Sequence, residues 1–308
     1  MSTTGIDIPQ GELDEMADGV RERRESPQAE EICTIRSPST LDGNIPYEKL
    51  RSELPEDRPD GKDVPPDGEV APSGTEKEKE PYDAKKQVGS RKLSIEDEIN
   101  YAGEFGRDAM EDEMDKAVGE SLFYVDEKLA DFLVDTNVHS TKAALNTWDD
   151  EGATSEPWKT MRDAAKDWKA DTCVISEDLV EDLRSHPDTK EQYANYSGTG
   201  MVGEDIVEEM IRQVYRTIRN VHVLHDIQNA AALGLPLEKQ ELFSGGLWFG
   251  HQSDLFMIDP DPAEATGITN PGQRIIQTGR FSSKLQAYRF VDYIRTRKEL
   301  GTVVTGAA

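Results

Sequence analysis

Between Asp171 and Asp259 short apolar runs alternate with short amphipathic ones, and this alternation restricts the fold more than any other feature of the chain. The runs read as a strand (Thr172–Ser176), a helix (Glu177–His186), a second helix (Gly203–Tyr215), a strand (Asn220–His225) and a strand (Gly246–Ile258). Strands interleaved with helices predict a sheet covered by helices. The same stretch holds almost no catalytic residue types. A compact α/β unit without an evident active site points to a product that is a surface or an assembly.

The bulk composition supports that direction. The chain has 308 residues, enough for one large domain or two ordinary ones. Hydrophobic residues make up only 35%, and the deficit lies in the first ninety residues, so the remainder can still bury a core. Acidic residues outnumber basic ones 62 to 35, for a net charge of −27. Such charge repels itself in a compact state, and at roughly 1 M salt the screening length falls to ~3 Å. The charge therefore fits a high-salt host. The two cysteines, Cys33 in an irregular region and Cys173 inside an apolar strand, fit a reducing compartment better than a disulfide scaffold. The opening MSTTGIDIPQ lacks the basic and apolar regions of a signal peptide, and no apolar run approaches ~18 residues, so neither secretion nor a membrane span is expected.

The chain divides by composition. Residues 1–30 read as a flexible charged arm with the mixed cluster RERRES at Arg21–Ser26, and Glu31–Arg36 as an edge strand. Residues 44–89 carry Pro46, Pro55, Pro59, Pro65, Pro66, Pro72 and Pro81 and the solvated run Glu76–Glu80. A segment so poor in apolar surface cannot fold alone, so it is disordered or is an arm that finds its partners on another subunit. From Ser94, a plausible N-cap, the stripe Ile95, Ile99, Ala102, Phe105, Ala109, Met110, Met114, Ala117 has helical spacing. The helix continues through Leu122, Val125, Leu129 and Leu133, with a break expected near Gly119. Asn137–Pro157 is a connector containing Trp148. Ser155 and Pro157 open a helix that aligns Trp158, Met161, Ala164, Ala165 and Trp168 on one face. The tail from Gln273 to Val304 reads as extended, with alternation at Ala287–Ile294 and a last short strand at Thr302–Val304.

Signatures of chemistry are weak. His222 and His225 lie three apart on a strand and point to opposite faces, so they do not chelate together. His186-Pro187-Asp188 is explained by a helix C-terminus closed by proline. Asp254, Asp259 and Asp261 lack calcium-loop spacing and read as a solvated acidic turn. Gly245-Gly246 and Gly198–Gly203 have no lysine-serine sequel, so no phosphate loop is present. No catalytic, cofactor-binding or metal residue is assigned, and no enzyme activity is expected. The tail's Arg274, Arg280, Lys284, Arg289, Arg295, Arg297 and Lys298 form a basic stretch in an acidic chain. Nucleic-acid contact is one reading. Pairing with acidic helix faces of other subunits is preferred, because no aromatic-lined groove accompanies the stripe.

The order of segments resembles the major capsid proteins of tailed double-stranded DNA viruses with the Hong Kong 97 phage-type coat fold. Asp171–Tyr196 is similar to a family passage leading to "L-x-x-H-P", where Leu183, His186 and Pro187 stand. Asn220–Gly234 looks like the passage "V-x-V-x-x-A-x-x-N-x-A", matched by Val221, Val223, Asn229 and Ala230, with Asp226-Ile227 where a small residue is common. Gly245–Asp259 is similar to a strand carrying "W-G-x-x-x-L", matched by Trp248, Gly250 and Leu255 with Phe249 inserted.

The resemblance implies an α+β fold in five parts: an N-terminal arm (1–43), an extended loop (44–90), a spine helix with the peripheral domain (91–139), an axial α/β domain (140–270) and a return to the peripheral domain (271–308). It implies pentamers and hexamers of this chain in an icosahedral shell, assembled in the host cytoplasm. Portal, scaffolding or decoration proteins are the implied partners, with weak non-specific contact to packaged double-stranded DNA, no membrane and no cofactor. With the charge, it suggests a virus of a halophilic archaeon. An encapsulin-like compartment shell and a salt-adapted cytosolic enzyme are the alternatives.

Overall fold

The computed structural model describes residues 27–48, 77–94, 106–144, 147–148, 156–191, 204–224, 227–229, 239–241, 243–260, 273–279, 282–297 and 301–307. In chain order these form helix α1 (Gln28–Ile32), strands β1 (Thr34–Arg36), β2 (Asp42–Glu48), β3 (Lys77–Asp83) and β4 (Lys85–Ser94), helix α2 (Gly106–Val134), strand β5 (Ser140–Ala143), helix α3 (Pro157–Trp168), strand β6 (Thr172–Ser176), and helices α4 (Glu177–Ser185) and α5 (Glu204–Val214). Strands β7 (Asn220–Leu224), β8 (Ile227–Asn229), β9 (Lys239–Glu241), β10 (Leu247–Gly250), β11 (Leu255–Ile258), β12 (Gln273–Gly279), β13 (Ser282–Arg295) and β14 (Thr302–Thr305) follow.

One five-stranded sheet has the order β5-β14-β10-β6-β7. Its middle strands are antiparallel, and its flanking pairs β5–β14 and β6–β7 are parallel. The runs TCVIS and LWFG are buried at every position because both faces of this sheet are covered. Cys173, Ile175, Leu247, Phe249 and Val304 face a core completed by α3, α4 and α5 through Met161, Ala165, Leu179, Leu183, Val207 and Ile211. The intervening Val174, Trp248 and Val303 face a second core, with Val125, Leu129 and Leu133 of α2 and Leu255, Met257, Val291 and Tyr293 of the other large sheet. One sheet is thus the shared wall of two cores, divided by the two-residue period of its strands.

In the second large sheet β1, β11, β13 and β12 lie in that order, and β4 also pairs with β13. The long strand β13 bonds with β11 through Asp292–Arg295 and with β4 and β12 through Ser282–Val291. β2 and β3 form a separate antiparallel ribbon, the long hairpin, with residues 49–76 between its strands and β4 following directly at its base; β8 and β9 form another two-stranded ribbon.

The fold agrees with the α+β expectation and corrects several details. Thr34–Arg36 is the expected edge strand, but Glu31 belongs to α1. Ser94 is the last residue of β4, and Ile95, Ile99, Ala102 and Phe105, where the expected helix would begin, lie outside the described residues. α2 passes through Gly119 without a break, because Val118 and Ser121 on either side are buried and tertiary packing offsets the ~1 kcal/mol glycine cost. The charged run 77–80 keeps Glu78 and Lys79 exposed as expected, but its backbone is not free: it pairs with Ile45–Glu48, and the Tyr47 hydroxyl donates to Glu78 at 2.7 Å. The single strand expected over Gly246–Ile258 is two, in different sheets, separated by the 3₁₀ turn Gln252–Asp254. Residues 140–143, read as connector, form an edge strand on β14. The helix at Pro157 is preceded by Glu156 without a side-chain cap; Ser155 lies outside the described residues.

Candidate functional site: the join between the sheets and the base of the long hairpin

Where β10 leaves one sheet and β11 enters the other, the chain turns sharply and its polar groups gather. Asp171, just before β6, organises one half of the turn. Its Oδ1 accepts from the Gln252 amide at 3.2 Å and its Oδ2 contacts His251 Nδ1 at 3.1 Å. Asp254 closes the other half, accepting from Arg297 at 3.2 Å. Burial raises the pKa of Asp254, and the nearby Arg297 works against that rise.

Beside the turn lies His139, five residues past the end of α2 and only 4% exposed. Its Nε2 lies 3.0 Å from the Phe132 carbonyl, so Nε2 carries the proton and donates. Its Nδ1 is then the acceptor, which matches the Trp248 indole N–H aimed at it from 3.2 Å. Arg295 of β13 contacts the same nitrogen. Burial, and then the Arg295 charge, push the imidazole down to about 3, so it is neutral in the folded chain. Burial also lowers Arg295, to about 10. Gly301 passes so close that a Cβ there would sit 2.9 Å from the Arg295 guanidinium carbon and 3.0 Å from Trp248 Nε1. This cluster ties the end of α2, the strand β10 and the strand β13 into one body. It offers no nucleophile and no general base. Its work is positional.

Two further fastenings fix the extended segments. Asp126 on α2 accepts from the amides of Ala29 at 2.8 Å and Gln28 at 3.2 Å, capping α1 from a different helix. Arg289 reaches Glu30 at 2.7 Å and Asp259 at 2.5 Å. At the base of the hairpin, β4 crosses α2 at Gly89, whose absent Cβ would overlap the Ala117 carbonyl. The next amide, Ser90, donates to Glu120 at 2.9 Å. Lys128 of α2 donates to the Val291 carbonyl at 2.6 Å. Tyr82, Phe256, Ile258 and Ile294, with Ile45 against them, form a small core where the β2–β3 ribbon meets the body.

The residues weighed for chemistry do not converge. His222 is half-buried on β7, its Nε2 without a hydrogen-bond partner, and burial lowers its pKa; His225 lies outside the described residues. His186 ends α4 in extended conformation, and its Nδ1 accepts from the Asp188 amide at 3.2 Å. Asp254 and Asp259 stand at opposite ends of β11, each paired with an arginine, and Asp261 lies outside the described residues. Asp254 is therefore a buried anchor and not part of a solvated turn. Gly245, at φ 65°, forms a turn held by Asp178, whose Oδ2 accepts from the Gly245 amide at 2.7 Å. Gly198–Gly203 lie outside the described residues. Among the described residues no group of three or more His, Cys, Asp and Glu could hold a metal ion, and no helix is long and apolar enough to cross a membrane.

The basic tail is corrected in part. Arg289 and Arg297 pair with acids of their own chain, because β13 runs alongside β11 and ends at its acidic turn. The side chains of Arg274, Arg280, Lys284 and Lys298 lie outside the described residues. No local pattern announces His139, Asp126, Glu120 or Asp171, because each acts on a segment far away along the chain. A histidine just past a long helix was the one weak signal.

No protein-family model matches the chain, and no curated protein is significantly similar to it in sequence. Solved structures do share its fold. A phage-related protein from Bordetella bronchiseptica RB50 superposes with TM-score 0.63 at 9% identity, covering 96% of this chain and 96% of that one. A virus-like particle protein from Pyrococcus furiosus gives 0.54 at 12% identity, covering 96% and 98%. The capsid of an empty GTA particle gives 0.50 at 10% identity, covering 92% and 98%.

Proposed function

We propose that this chain is a major capsid protein, assembling through pentamers and hexamers into an icosahedral shell around the double-stranded DNA of a tailed virus. One observation carries the reading: nearly the whole chain, and not one portable domain, shares its architecture with a phage-related protein, a virus-like particle and a capsid. The division of labour in the fold supports it. Buried contacts fasten the long hairpin and α1 to a rigid body, and the segments they launch, residues 1–26 and 49–76, are rich in charge and poor in apolar surface. Such segments gain stability on neighbouring copies, where many weak contacts sum by multivalency. Repetition of one head-to-tail interface closes rings.

The net charge of −27 supports a high-salt setting, and the reading includes a halophilic archaeal host. Portal, scaffolding or decoration proteins are the further partners, and contact with DNA is weak because coat and cargo share the sign of their charge. The likeness to the Pyrococcus furiosus virus-like particle favours a second reading, a compartment shell with protein cargo.

Electron microscopy and light scattering on the purified chain across a salt series test the proposal. Hollow shells or capsomers that grow with salt are expected. A monomer indifferent to salt between about 0.2 and 3 M, on the order of a fourfold change in screening length, overturns it. Nuclease-protected DNA in particles purified from the host separates the virus reading from the compartment reading.

A further inference from the structure

Three neighbouring strands of the second sheet carry basic residues and no acid. β4 holds Lys85, Lys86, Arg91 and Lys92. β13 as far as Val291, and β12 beside it, add Lys284, Arg289 and Arg274, again without an aspartate or glutamate. In a chain with 62 acidic residues among 308, this is a local reversal of sign. The chain's own acids answer part of it. Arg289 is paired with Glu30 and Asp259. Arg91 meets Glu120 only at 3.9 Å, and its buried Nε has no hydrogen-bond partner among the described residues. The first acid further along β13, Asp292, lies past the end of β4 and is engaged by Lys128 and by the Asp83 amide.

The charge left over lies on the face away from α2. Gly89 is pressed against Ala117 of α2, so by alternation Lys86, Val88, Ser90 and Lys92 are on the opposite face. Lys86 stands 3.8 Å from the centroid of the Tyr288 ring, and Arg36 stands 5.4 Å from that of Phe256 on the same face. Lys92 is exposed, makes no ion pair with a described residue, and is in register directly opposite Lys284. Like charges facing each other across two strands weaken a sheet, and an anion from outside removes that cost.

We propose that this face of β4 and β13 is a docking surface for a second copy of the chain, which meets it with carboxylates. The occupant follows from charge. Copies of net charge −27 repel one another, so a stable contact between them needs a place where the sign is reversed. The contact is also unlike on its two sides. A two-fold contact would set this face against itself, cation on cation, whereas a head-to-tail contact sets it against an acidic surface of the next copy. High salt favours a protein partner over duplex DNA. The attraction of a basic face for DNA collapses as salt rises. Ion pairs partly buried between two copies are screened much less, while the general repulsion between the copies fades beyond ~3 Å at roughly 1 M salt. The inference deepens the shell reading and rests on it only in requiring that copies meet.

Charge reversal in the full chain tests it, with association followed by light scattering across a salt series. Lys86→Glu with Lys92→Glu is expected to raise the concentration needed for association at least about tenfold. Lys86→Arg with Lys92→Arg should restore it, and the urea midpoint of each variant separates a lost contact from a lost fold. The reversed variant keeps its acidic surfaces, so it still docks on a wild-type copy but receives none. An excess of it should therefore stop the growth of wild-type assemblies. A reversed variant that associates like the wild type overturns the proposal. If that variant also no longer retains a short DNA duplex that the wild type retains, the face belongs to nucleic acid instead. Wild-type growth undiminished by excess variant overturns the proposal as well. Shells formed by the reversed variant sink the docking face alone. Small oligomers that never close into shells, yet vanish in that variant, sink the shell alone.

Discussion

The Cβ that Gly89 lacks would stand 1.8 Å from the carbonyl oxygen of Ala117. Strand β4 thus lies directly on the backbone of α2, closer than any side chain permits, and the long hairpin springs from that contact. Gly89→Ala forces strand and helix apart against a backbone atom that cannot rotate away. A loss of about 3 kcal/mol or more is expected, at the upper end for overpacking, read from the denaturant midpoint. An unchanged midpoint would mean the crossing is looser than described.

His139 sets an acid limit. Its ordinary value is 6.5 and its folded value about 3. Between these the unfolded chain binds a proton that the folded chain refuses, so stability falls as pH drops from about 6.5 toward 3. Asp254, raised by burial, acts in the opposite sense in the carboxylate range. His139→Gln keeps a hydrogen-bonding side chain and removes the titration. The difference in urea midpoint between wild type and variant should shrink as pH falls from 7 to 4. A difference that stays constant across that range would remove His139 as the cause.

Arg289→Met strands Glu30 and Asp259 while keeping most of the aliphatic stem of the side chain. The three groups are 19–25% exposed, which moderates the penalty of broken buried pairs. About 1–3 kcal/mol is expected. Hydrogen exchange should quicken first at α1, since Glu30 is the link that this arginine supplies. Uniform quickening across β13 would instead indicate general loosening.

Lys169 ends α3 at φ 54°, and the Ala170 amide returns to the Ala165 carbonyl at 3.0 Å. A left-handed residue at this place favours glycine. Lys169→Gly should therefore stabilise the chain by about 0.5–1 kcal/mol. A lower melting temperature would show that the lysine side chain contributes more than its backbone costs.

Replacing residues 49–76 with a short turn should leave the far-ultraviolet spectrum and cooperative unfolding intact and abolish assembly. A wider deletion of 44–90 removes β3 and most of β4, and so damages the sheet at β13. Normal particles from the narrow deletion would contradict the role given to the loop.

The shared sheet was legible in the sequence because TCVIS and LWFG are short continuous apolar runs, which only strands buried on both faces require. The helices α3, α4 and α5 were legible from their apolar stripes. The break at Gln252–Asp254 was hidden, since both flanking strands are apolar and the turn needs no glycine or proline. Strand β3 was hidden for the opposite reason: its lysines and glutamates pair by backbone with β2 and bury little. The fastenings Asp126–Ala29 and Ser90–Glu120 join positions far apart along the chain, and no local pattern announces such pairs.

The alternation of Leu247, Trp248 and Phe249 between two cores has an evolutionary corollary. Neighbouring letters of one strand answer to different company. Among descendants of this chain, positions 247 and 249 should drift in step with α3 and α4. Position 248 should drift in step with His139 and α2. Two independent histories would then be interleaved, letter by letter, within a single four-residue word.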